Sequence, residues 1–582
     1  MPEKYRPKLT NEWTIGVIPG PQPTPEYLKP EYLKTLTESE YEVNFNSART
    51  GIRLNGPIPQ WVREDGGEAG LHPSNIHDNA YAVGTLDLTG DQSILLGPDG
   101  PSLGGFVCSV TTAKGEMWKL GQLHPGDKVH FRLLDLDQAK EIREAEEANL
   151  RHEYQEVVLP EQKDLDYHYA ILAEETAAGT KIVARLDGED NILVEYGEME
   201  LDIAIRFRVH VLMQELKKKD LPVIDLTPGI RSLQIHFDIE KISLKEMLAA
   251  VLETNRTLPE LSDVTVPSRI IWLPLSWDDP QTQLAAKRYQ QTVRPNAPWC
   301  PSNPEFIRRI NGLDSIEDVK KIVFDADYLV LGLGDVYLGA PVATPVDPRH
   351  RMVTTKYNPA RPWTPENAVG IGGAYLCVYG MEGPGGYQFV GRTIQMWNPL
   401  KETEYFKHGK PWLLDFFDQI RFYPVSAEEI LKDREDFLRG RFKIKIEETS
   451  FNLGKYQEFL KEHEDTIRVF KDHQEASFDA ERKMWKEKGL DEFDSETQDA
   501  PAIVEETVPD GCEAARTNIP GSVWKVLVED GQKVREGDTL VILESMKMEF
   551  PVTAEYSGII EKVYLKPGEQ VNSGQLAASI RV

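Results

Sequence analysis

The sequence predicts a mainly β protein with α+β parts that is divided into several domains. At 582 residues the chain exceeds the length at which one hydrophobic core stops growing, about 250–300 residues. Short apolar runs broken by glycine and proline fill residues 12–135 and 326–425, as is typical of strands joined by turns. The C-terminal segment repeats itself, which indicates one supersecondary unit used twice. Six residues have an identical residue 37 positions later. The pairs are Gly521 and Gly558, Gly531 and Gly568, Gly537 and Gly574, Lys525 and Lys562, Val526 and Val563, and Val534 and Val571.

The spacing of apolar residues predicts the individual elements in chain order. They are strands at 13–18 and 93–96, a polar helix at 138–157, strands at 192–196 and 230–237, and helices at 203–217 and 244–254. Residues 427–490 are expected to form charged helices with few apolar positions. The acidic residues 491–508 have no periodicity and predict a flexible tether.

Composition limits the classes of function. The net charge of −29 argues against nucleic-acid binding, which requires concentrated lysine and arginine. No apolar run approaches the roughly 18 residues of a membrane span, and the charged N-terminus is not a secretory signal. The four cysteines are scattered without a C-x-x-C pair, so neither a disulfide framework nor a zinc site is expected. We therefore expect a cytoplasmic protein without membrane or nucleic-acid partners.

A lysine flanked by two methionines lies between the two repeats, where the chain must turn from one half to the other. This segment, Met546, Lys547 and Met548, resembles the attachment motif of biotin carboxyl carrier (biotinyl) domains. The resemblance implies a flattened β-barrel with biotin bound covalently to Lys547 at a hairpin tip. Two alternatives are a lipoyl domain, which usually has D-K-A at its tip, and an unmodified surface lysine. The two methionines favour biotin.

Two sequence blocks in the body of the chain carry a second resemblance. The first spans 72–81, 85–91 and 100–106, and the second spans 347–351, 356–361 and 383–393. They resemble the carboxyltransferase of urea carboxylase and guanidine carboxylase, and the paired allophanate hydrolase subunit proteins of bacteria. The resemblance implies cyclophilin-like β-barrel domains.

The two resemblances together cover nearly all of the chain and imply a domain order. It is a first carboxyltransferase region at 1–140, a bridge at 141–164, a second carboxyltransferase region at 165–426, a helical and acidic flexible linker at 427–508, and the carrier domain at 509–582. Nothing resembles the ATP-grasp biotin carboxylase with which the family enzyme begins, and the first region lacks its usual N-terminal half. ATP, Mg²⁺ and bicarbonate are therefore expected to act in a biotin carboxylase domain or subunit elsewhere.

Carboxyl transfer from carboxybiotin requires donors that stabilise the developing negative oxygen, and a base that makes the acceptor nitrogen nucleophilic. The resemblance and this chemistry select Arg349 and Lys356 as fixed positive donors and Asp335 as the base, with Asp347 as a second candidate for the base. Arg351 is expected to bind a carboxylate through two parallel hydrogen bonds.

Three further residues are expected to bind the substrate. Gln388 follows a glycine pair that allows close backbone approach and could hold an amide-like molecule, and Asn75 lies in the first block. Asp87 lies where the resemblance implies Asn in urea-specific members and Asp in guanidine-specific members. A carboxylate matches the donors of guanidinium, whereas an Asn amide can donate to the carbonyl of urea. Asp87 therefore favours guanidine, the alternative being that Asp87 and Asn75 only cap local turns.

Other patterns have plainer explanations. His72, His77 and Asp78 could suggest a metal, but no fourth ligand is evident and local hydrogen bonding explains them, so no metal is expected. The glycines at 332–334 do not complete a dinucleotide-binding G-x-G-x-x-G pattern. Arg349 and Arg351 could equally be structural ion-pair residues.

The sequence therefore predicts a biotin-dependent carboxyltransferase that carboxylates a nitrogen of guanidine or urea. The expected partners are the acceptor, a biotin carboxylase, biotin protein ligase and a downstream allophanate hydrolase. One rival is a non-catalytic regulatory or binding module, because similar subunits occur in kinase inhibition and in oxoprolinase complexes. Another is an acyl-CoA carboxylase, whose crotonase-like transferase pattern is not visible here.

Overall fold

The computed structural model describes residues 2–44, 47–70, 72–177, 179–334, 339–407, 409–490, 508–509, 511–519, 521–545 and 548–582. Within these residues the chain is mainly β with α+β parts, as the sequence predicted. No helix of the described ranges combines the length and the apolar character needed to cross a membrane.

The N-terminal unit is a closed barrel of seven strands. Its elements are β1 (Glu12–Pro19), α1 (Tyr32–Glu38), β2 (Tyr41–Val43), β3 (Gly51–Asn55), β4 (Asn75–Ala80), β5 (Thr85–Thr89), β6 (Gln92–Leu96), β7 (Leu103–Phe106), β8 (Cys108–Thr112), α2 (Met117–Leu120), β9 (Lys128–Leu133) and α3 (Leu136–Leu150). The barrel order is β1-β8-β5-β6-β3-β2-β9, and it closes through the parallel pairing of β1 with β9. Strands β4 and β7 form a separate two-stranded ribbon.

A five-stranded antiparallel sheet follows the barrel. Its elements are β10 (Ile171–Ala177), β11 (Thr180–Leu186), β12 (Asn191–Tyr196), α4 (Ile203–Lys217), β13 (Val223–Pro228), β14 (Ser232–Phe237) and α5 (Leu244–Arg256). The strand order is β10-β11-β12-β14-β13. Buried apolar residues on the sheet and both helices form one core, which agrees with the strands and helices that periodicity predicts here.

The third unit is a second ring of seven strands with helices around it. Its elements are β15 (Thr265–Trp277), α6 (Pro280–Thr292), α7 (Asn303–Ile310), α8 (Ile316–Asp325), β16 (Tyr328–Leu333), β17 (Pro341–Pro345), β18 (Arg361–Thr364), β19 (Ala368–Gly372), β20 (Tyr375–Val378), β21 (Gly383–Gly385), β22 (Gln388–Arg392), β23 (Gln419–Val425), α9 (Ala427–Leu438), β24 (Lys445–Asn452), α10 (Leu453–Glu462) and α11 (Glu464–Lys488). The ring order is β22-β19-β20-β17-β16-β23-β15, and β15 also pairs with β22. Strand β24 extends the sheet beside β15, and β18 pairs with β21.

Residues 427–490 do not form the linker that the sequence predicted. Strand β24 pairs with β15 along its whole length, so this segment belongs to the sheet of the second barrel. The few apolar residues enter cores: Phe451 and Tyr456 pack in the second barrel, and Trp485 packs beside α7. Sparse apolar positions suggested a solvated linker, but each of these side chains is inserted in the body of the protein. The predicted tether at 491–508 lies outside the described residues except for its last position.

The C-terminal unit has the two similar halves that the repeat predicts. Its strands are β25 (Cys512–Arg516), β26 (Gly521–Val526), β27 (Lys533–Val534), β28 (Thr539–Ser545), β29 (Met548–Thr553), β30 (Gly558–Val563), β31 (Gln570–Val571) and β32 (Leu576–Arg581). They form two four-stranded sheets, β25-β32-β30-β27 and β29-β28-β26-β31, around one core. Strands β26 to β28 begin 37 positions before β30 to β32, and Gly531 and Gly568 share a left-handed φ of 84° and 90°.

Buried ion pairs join the first barrel to the five-stranded sheet. Glu195 lies between the guanidinium groups of Arg185 and Arg231, and accepts a hydrogen bond from Gln22 of the first barrel. Although burial alone would raise it, the two arginines lower the pKa of Glu195 to about 2. Arg185 also pairs with Glu26, so the network crosses the boundary between the two units.

Replacing Glu195 with glutamine is expected to lower the free energy of unfolding by about 3 kcal/mol, because Arg231 loses its carboxylate partner among the described residues and Arg185 keeps only Glu26. The lowered pKa means that the carboxylate contributes its full stabilisation above the ordinary glutamate value of 4.5 and loses it as the pH falls toward 2. Scanning calorimetry at neutral pH measures the effect. Glu198→Gln, at an exposed position nearby, is the control, and equal losses in both variants would contradict the assignment.

Candidate active site

The two sequence blocks meet at the boundary between the first barrel unit and the second. Asp78 lies on β4, and Lys356 lies in the loop that precedes β18. Lys356 Nζ is 4.0 Å from Asp78 Oδ1, and their side chains are only 10% and 1% exposed. The backbone of Asp78 is held in place because its carbonyl accepts a hydrogen bond from the amide of Ile230. A buried carboxyl group and a mostly buried amino group from different units therefore face each other.

Aromatic rings surround the Lys356 ammonium group. Its Nζ lies 4.5 Å from the ring centroid of Phe106 and 5.6 Å from that of Tyr387. Rings at this distance attract a cation and also exclude water. Burial raises the pKa of the Asp78 carboxyl, and Lys356 and a hydrogen bond with Tyr387 act in the opposite direction. The Asp78 carboxyl is thus poised to hold a proton closer to neutral pH than an exposed aspartate.

Gly105 leaves open the space between Asp78 and Lys356. A Cβ atom at Gly105 would overlap Asp78 Oδ1, Lys356 Nζ and the carbonyl oxygen of Ile76. A glycine is needed where a backbone passes this close to other groups. The same ribbon is fixed by Asn79, whose amide donates to the carbonyl of Gly104 at 3.3 Å.

Asp87 on β5 is a second buried carboxyl, and the charge of Lys356 acts on it as well. Its Oδ2 accepts a hydrogen bond from the Thr89 hydroxyl at 2.9 Å, whereas its Oδ1 is buried without a hydrogen-bond partner in the part of the chain that the structure describes. Burial raises the pKa of Asp87 to about 7, with Thr89 and Lys356 acting in the opposite direction. A buried acceptor without a partner is costly, so Oδ1 is suited to a ligand that donates a hydrogen bond.

Gln388 and Asn75, the other predicted substrate-binding residues, lie at different places. The Gln388 amide donates to the carbonyl of Thr355 at 2.9 Å and so fixes the residue before Lys356. Gln388 Oε1 is buried and accepts no hydrogen bond from a described residue. The Asn75 side chain packs against the backbone of the loop at 66–70. The backbone carbonyl of Asn75 accepts a hydrogen bond from the Arg63 guanidinium.

The predicted arginines make contacts away from Asp78 and Lys356. Arg349 forms a forked pair with Asp347 and donates to Thr466 on α11. Arg351 donates to the carbonyl of Pro345 and to the hydroxyl of Tyr456. Among the described contacts neither guanidinium reaches the cluster, and each binds α10 or α11 to the second barrel. These contacts match the structural alternative.

Four predicted residues cannot be placed as side chains. Asp335, Met546 and Lys547 lie outside the described residues, and Met548 is described only as the first residue of β29. Strands β28 and β29 pair as far as Ser545 and Met548, so the described hairpin ends on either side of Lys547.

Asp78 enters the sequence predictions only as part of a metal site, together with His72 and His77. In the structure His77 Nδ1 is hydrogen-bonded to the Tyr375 hydroxyl at 2.5 Å. His72 is hydrogen-bonded to the Ser74 hydroxyl, and its Nε2 lies 3.4 Å from Asp91 Oδ1. Asp78 lies in a strand in which all six residues are buried. That burial is evident only in the structure, because four of the six residues of the strand Asn75–Ala80 are polar and their sequence does not indicate a buried strand.

Comparisons with known proteins agree with this architecture. Family models match residues 1–133 as "Carboxyltransferase domain, subdomain A and B", 182–406 as "Carboxyltransferase domain, subdomain C and D", and 507–580 as "Biotin-requiring enzyme". The curated urea amidolyases of Lachancea kluyveri and Saccharomyces cerevisiae are 39% and 37% identical over 100% of this chain, which spans 32% of each of them.

A solved structure is similar over almost the whole chain. The crystal structure of the Kluyveromyces lactis urea carboxylase matches with a TM-score of 0.88 and 38% sequence identity. The match covers 99% of this chain and 51% of the urea carboxylase chain. Asp78 thus lies in the first matched carboxyltransferase region and Lys356 in the second, and the repeat is the matched biotin region. The chain therefore belongs to the biotin-dependent carboxylases, as a carboxyltransferase component followed by a biotin carrier domain, and is homologous along its length to urea amidolyase and urea carboxylase.

Proposed function

We propose that this chain transfers a carboxyl group from biotin on Lys547 to a nitrogen of guanidine. The observation that carries this proposal is the buried Asp87 carboxylate, whose Oδ1 accepts no hydrogen bond from a described residue. It lies in a cluster with the Asp78 and Lys356 pair. Carboxylated biotin supplies the carboxyl group, and the residues of the cluster bind and activate the acceptor.

The described residues have separate roles in this reaction. Asp78, with its raised pKa, would accept one proton from the acceptor nitrogen as that nitrogen bonds to the carboxyl carbon. The bond between the carboxyl carbon and the biotin nitrogen would break at the same time, and Asp78 would return the proton to that released nitrogen. The Lys356 ammonium stabilises the negative oxygen of the carboxyl group during transfer. The Phe106 and Tyr387 rings keep water away from both groups. Gln388 fixes Thr355 and thus the start of the Lys356 loop.

Asp87 favours guanidine over urea as the acceptor. An ionised carboxylate accepts two parallel hydrogen bonds from the planar guanidinium cation. Urea is neutral, and its carbonyl oxygen would face the carboxylate of Asp87 without a shared proton. Urea remains the second candidate, because the similar proteins are named urea amidolyase and urea carboxylase.

The chain spans about a third of those urea amidolyases, so the remaining steps are assigned to other parts of the complete system. We propose that a biotin carboxylase domain or subunit uses ATP, Mg²⁺ and bicarbonate to load the carrier. A biotin protein ligase would attach biotin to Lys547, and an allophanate hydrolase would act on the carboxylated product.

The direct experiment measures transfer of ¹⁴C-carboxyl from the loaded holo chain to guanidine, urea and acetamide. We expect the label to leave the protein fastest with guanidine and to appear in a carboxylated product. Faster transfer to urea would overturn the substrate assignment. Transfer to none of the three would overturn the proposed reaction.

The pH dependence of acceptor binding should distinguish guanidine from urea independently of turnover. Guanidinium binds the ionised form of Asp87, so its dissociation constant should rise about tenfold per pH unit below pH 7 and level off above it. Urea should show the opposite slope, because only the protonated carboxyl donates to its carbonyl. Titration calorimetry between pH 5.5 and 8.5 measures both, and Asp87→Asn should flatten both profiles. Parallel profiles for the two ligands would contradict the role of Asp87.

A further inference from the structure

The side chain of Arg288 on α6 joins the transferase to the carrier domain. Its guanidinium lies 4.9 Å from the ring centroid of Trp363 on β18 and 3.5 Å from that of Trp524 on β26. Trp363 belongs to the transferase and Trp524 to the carrier. Arginine between two indole rings gains cation–π attraction from both sides, and its planar group stacks where a lysine could not.

The same guanidinium contacts the hairpin that leads to Lys547. Arg288 Nη2 donates to Glu549 Oε1 at 3.3 Å. Glu549 pairs across the hairpin with Glu544, and Glu544 lines a small pocket together with Arg288 and Trp363. Burial raises the pKa of Glu544, and Arg288 opposes this shift. One arginine therefore faces two carboxylates near the tip of the hairpin, each within three residues of Lys547.

Helix α6 also reaches the active-site loop. The helix begins at a capping Asp279 followed by Pro280, which fixes its N-terminal end. Tyr289, the residue after Arg288, donates to the carbonyl of Pro359 at 2.9 Å. Pro359 lies in the loop that carries Lys356. The contact with the carrier and the position of the catalytic loop thus depend on adjacent residues of one helix.

We propose that Arg288 is the positioning residue that docks the carrier domain on the transferase, with Trp524, Glu544 and Glu549 as its partners. This inference rests on the proposed function, since docking matters for transfer only if Lys547 carries the prosthetic group. Arg288 acts through the placement of the hairpin and does not touch the acceptor. Its loss should therefore impair delivery by the tethered carrier and spare the chemistry itself.

The test compares two donors in the full-length holo chain. Arg288→Ala should slow transfer from its own loaded carrier about tenfold, because it loses a partly buried cation–π contact and an ion pair. Transfer from free carboxybiotin supplied in solution should stay within twofold of wild type. Arg288→Lys should recover only part of the tethered rate, because it keeps the charge and loses the stacking. Lys287→Ala, an exposed cation one position earlier on α6, is the matched control and should behave as wild type.

Hydrogen–deuterium exchange gives a readout that does not depend on activity. In Arg288→Ala, backbone amides of β28, β29 and the C-terminal half of α6 should exchange faster than in wild type and in Lys287→Ala. Equal loss of tethered and free transfer would mean that Arg288 supports the active site or the fold, and would overturn docking. Unchanged exchange and unchanged tethered transfer would overturn it as well. If wild type transfers to no acceptor, the proposed function fails, whereas the exchange result still decides the docking contact.

Discussion

Replacing Asp78 with asparagine is expected to lower the maximal rate of carboxyl transfer roughly a thousandfold, in the range typical for loss of a general base. The carboxyl is buried beside Lys356 Nζ and faces the space that Gly105 leaves open. Asparagine has nearly the same shape but cannot accept the proton of the acceptor nitrogen. The change should therefore reduce kcat and leave the binding of the acceptor, measured by calorimetry, within a fewfold of wild type.

The control for this prediction is Asp91→Asn in the same sequence block. Asp91 is half exposed and pairs with His72, so its variant should keep wild-type kcat. Thermal unfolding of both variants separates a catalytic defect from a folding defect. An Asp78→Asn protein that folds and retains more than a tenth of wild-type kcat would exclude Asp78 as the base.

The placement of Asp78 shows where reading the sequence was sufficient and where it was not. The two sequence blocks that carried the family resemblance lie within the matched carboxyltransferase regions. That they meet depends on how two barrels pack together, with Asp78 from the first unit and Lys356 from the second. Contacts between residues almost 280 positions apart leave no local pattern. Lys356 was selected as a candidate by the family resemblance and its chemistry, whereas Asp78 was considered only as a possible metal ligand.

The arginines illustrate a different limit. Arg349 and Arg351 have the charge that the reaction requires, and sequence chemistry alone could not separate a catalytic from a structural role. In the structure Arg351 donates a hydrogen bond to Tyr456 on α10, and Arg349 donates one to Thr466 on α11. Those helices belong to the segment that was predicted to be a linker. The low apolar content of residues 427–490 led to the linker prediction, and the contacts of the two arginines with α10 and α11 could not be expected while that segment was taken for a linker.

The repeat was the most reliable guide to fold, because it depends on local turn chemistry. Gly531 and Gly568 both adopt a left-handed φ, a conformation that glycine adopts without strain. The strands of the C-terminal unit also recur at an offset of 37 residues. An internal repeat allows both halves of a domain to be predicted together. No comparable pattern in the sequence predicted how the two barrels contact each other.

Replacing Asp87 with asparagine is expected to shift the ratio of kcat/KM for guanidine to kcat/KM for urea roughly a hundredfold toward urea. A hydrogen bond to a charged group contributes about 1.5–3 kcal/mol, and the variant loses it for guanidinium while gaining an amide donor for the urea carbonyl. The substitution fits the site, since the Asn oxygen can still accept from the Thr89 hydroxyl and its amide then takes the place of Oδ1.

Initial rates with both acceptors and free carboxybiotin as donor measure this ratio without involving carrier docking. Asp91→Asn again serves as the control and should leave the ratio unchanged. The outcome that decides against Asp87 is a ratio within threefold of wild type in a folded Asp87→Asn protein. A reversal, in contrast, would mean that one oxygen atom in a buried carboxyl selects between a cationic and a neutral acceptor of almost identical shape. This selection follows from the cost of burying a polar atom without a partner, which applies to either acceptor when the wrong side chain faces it.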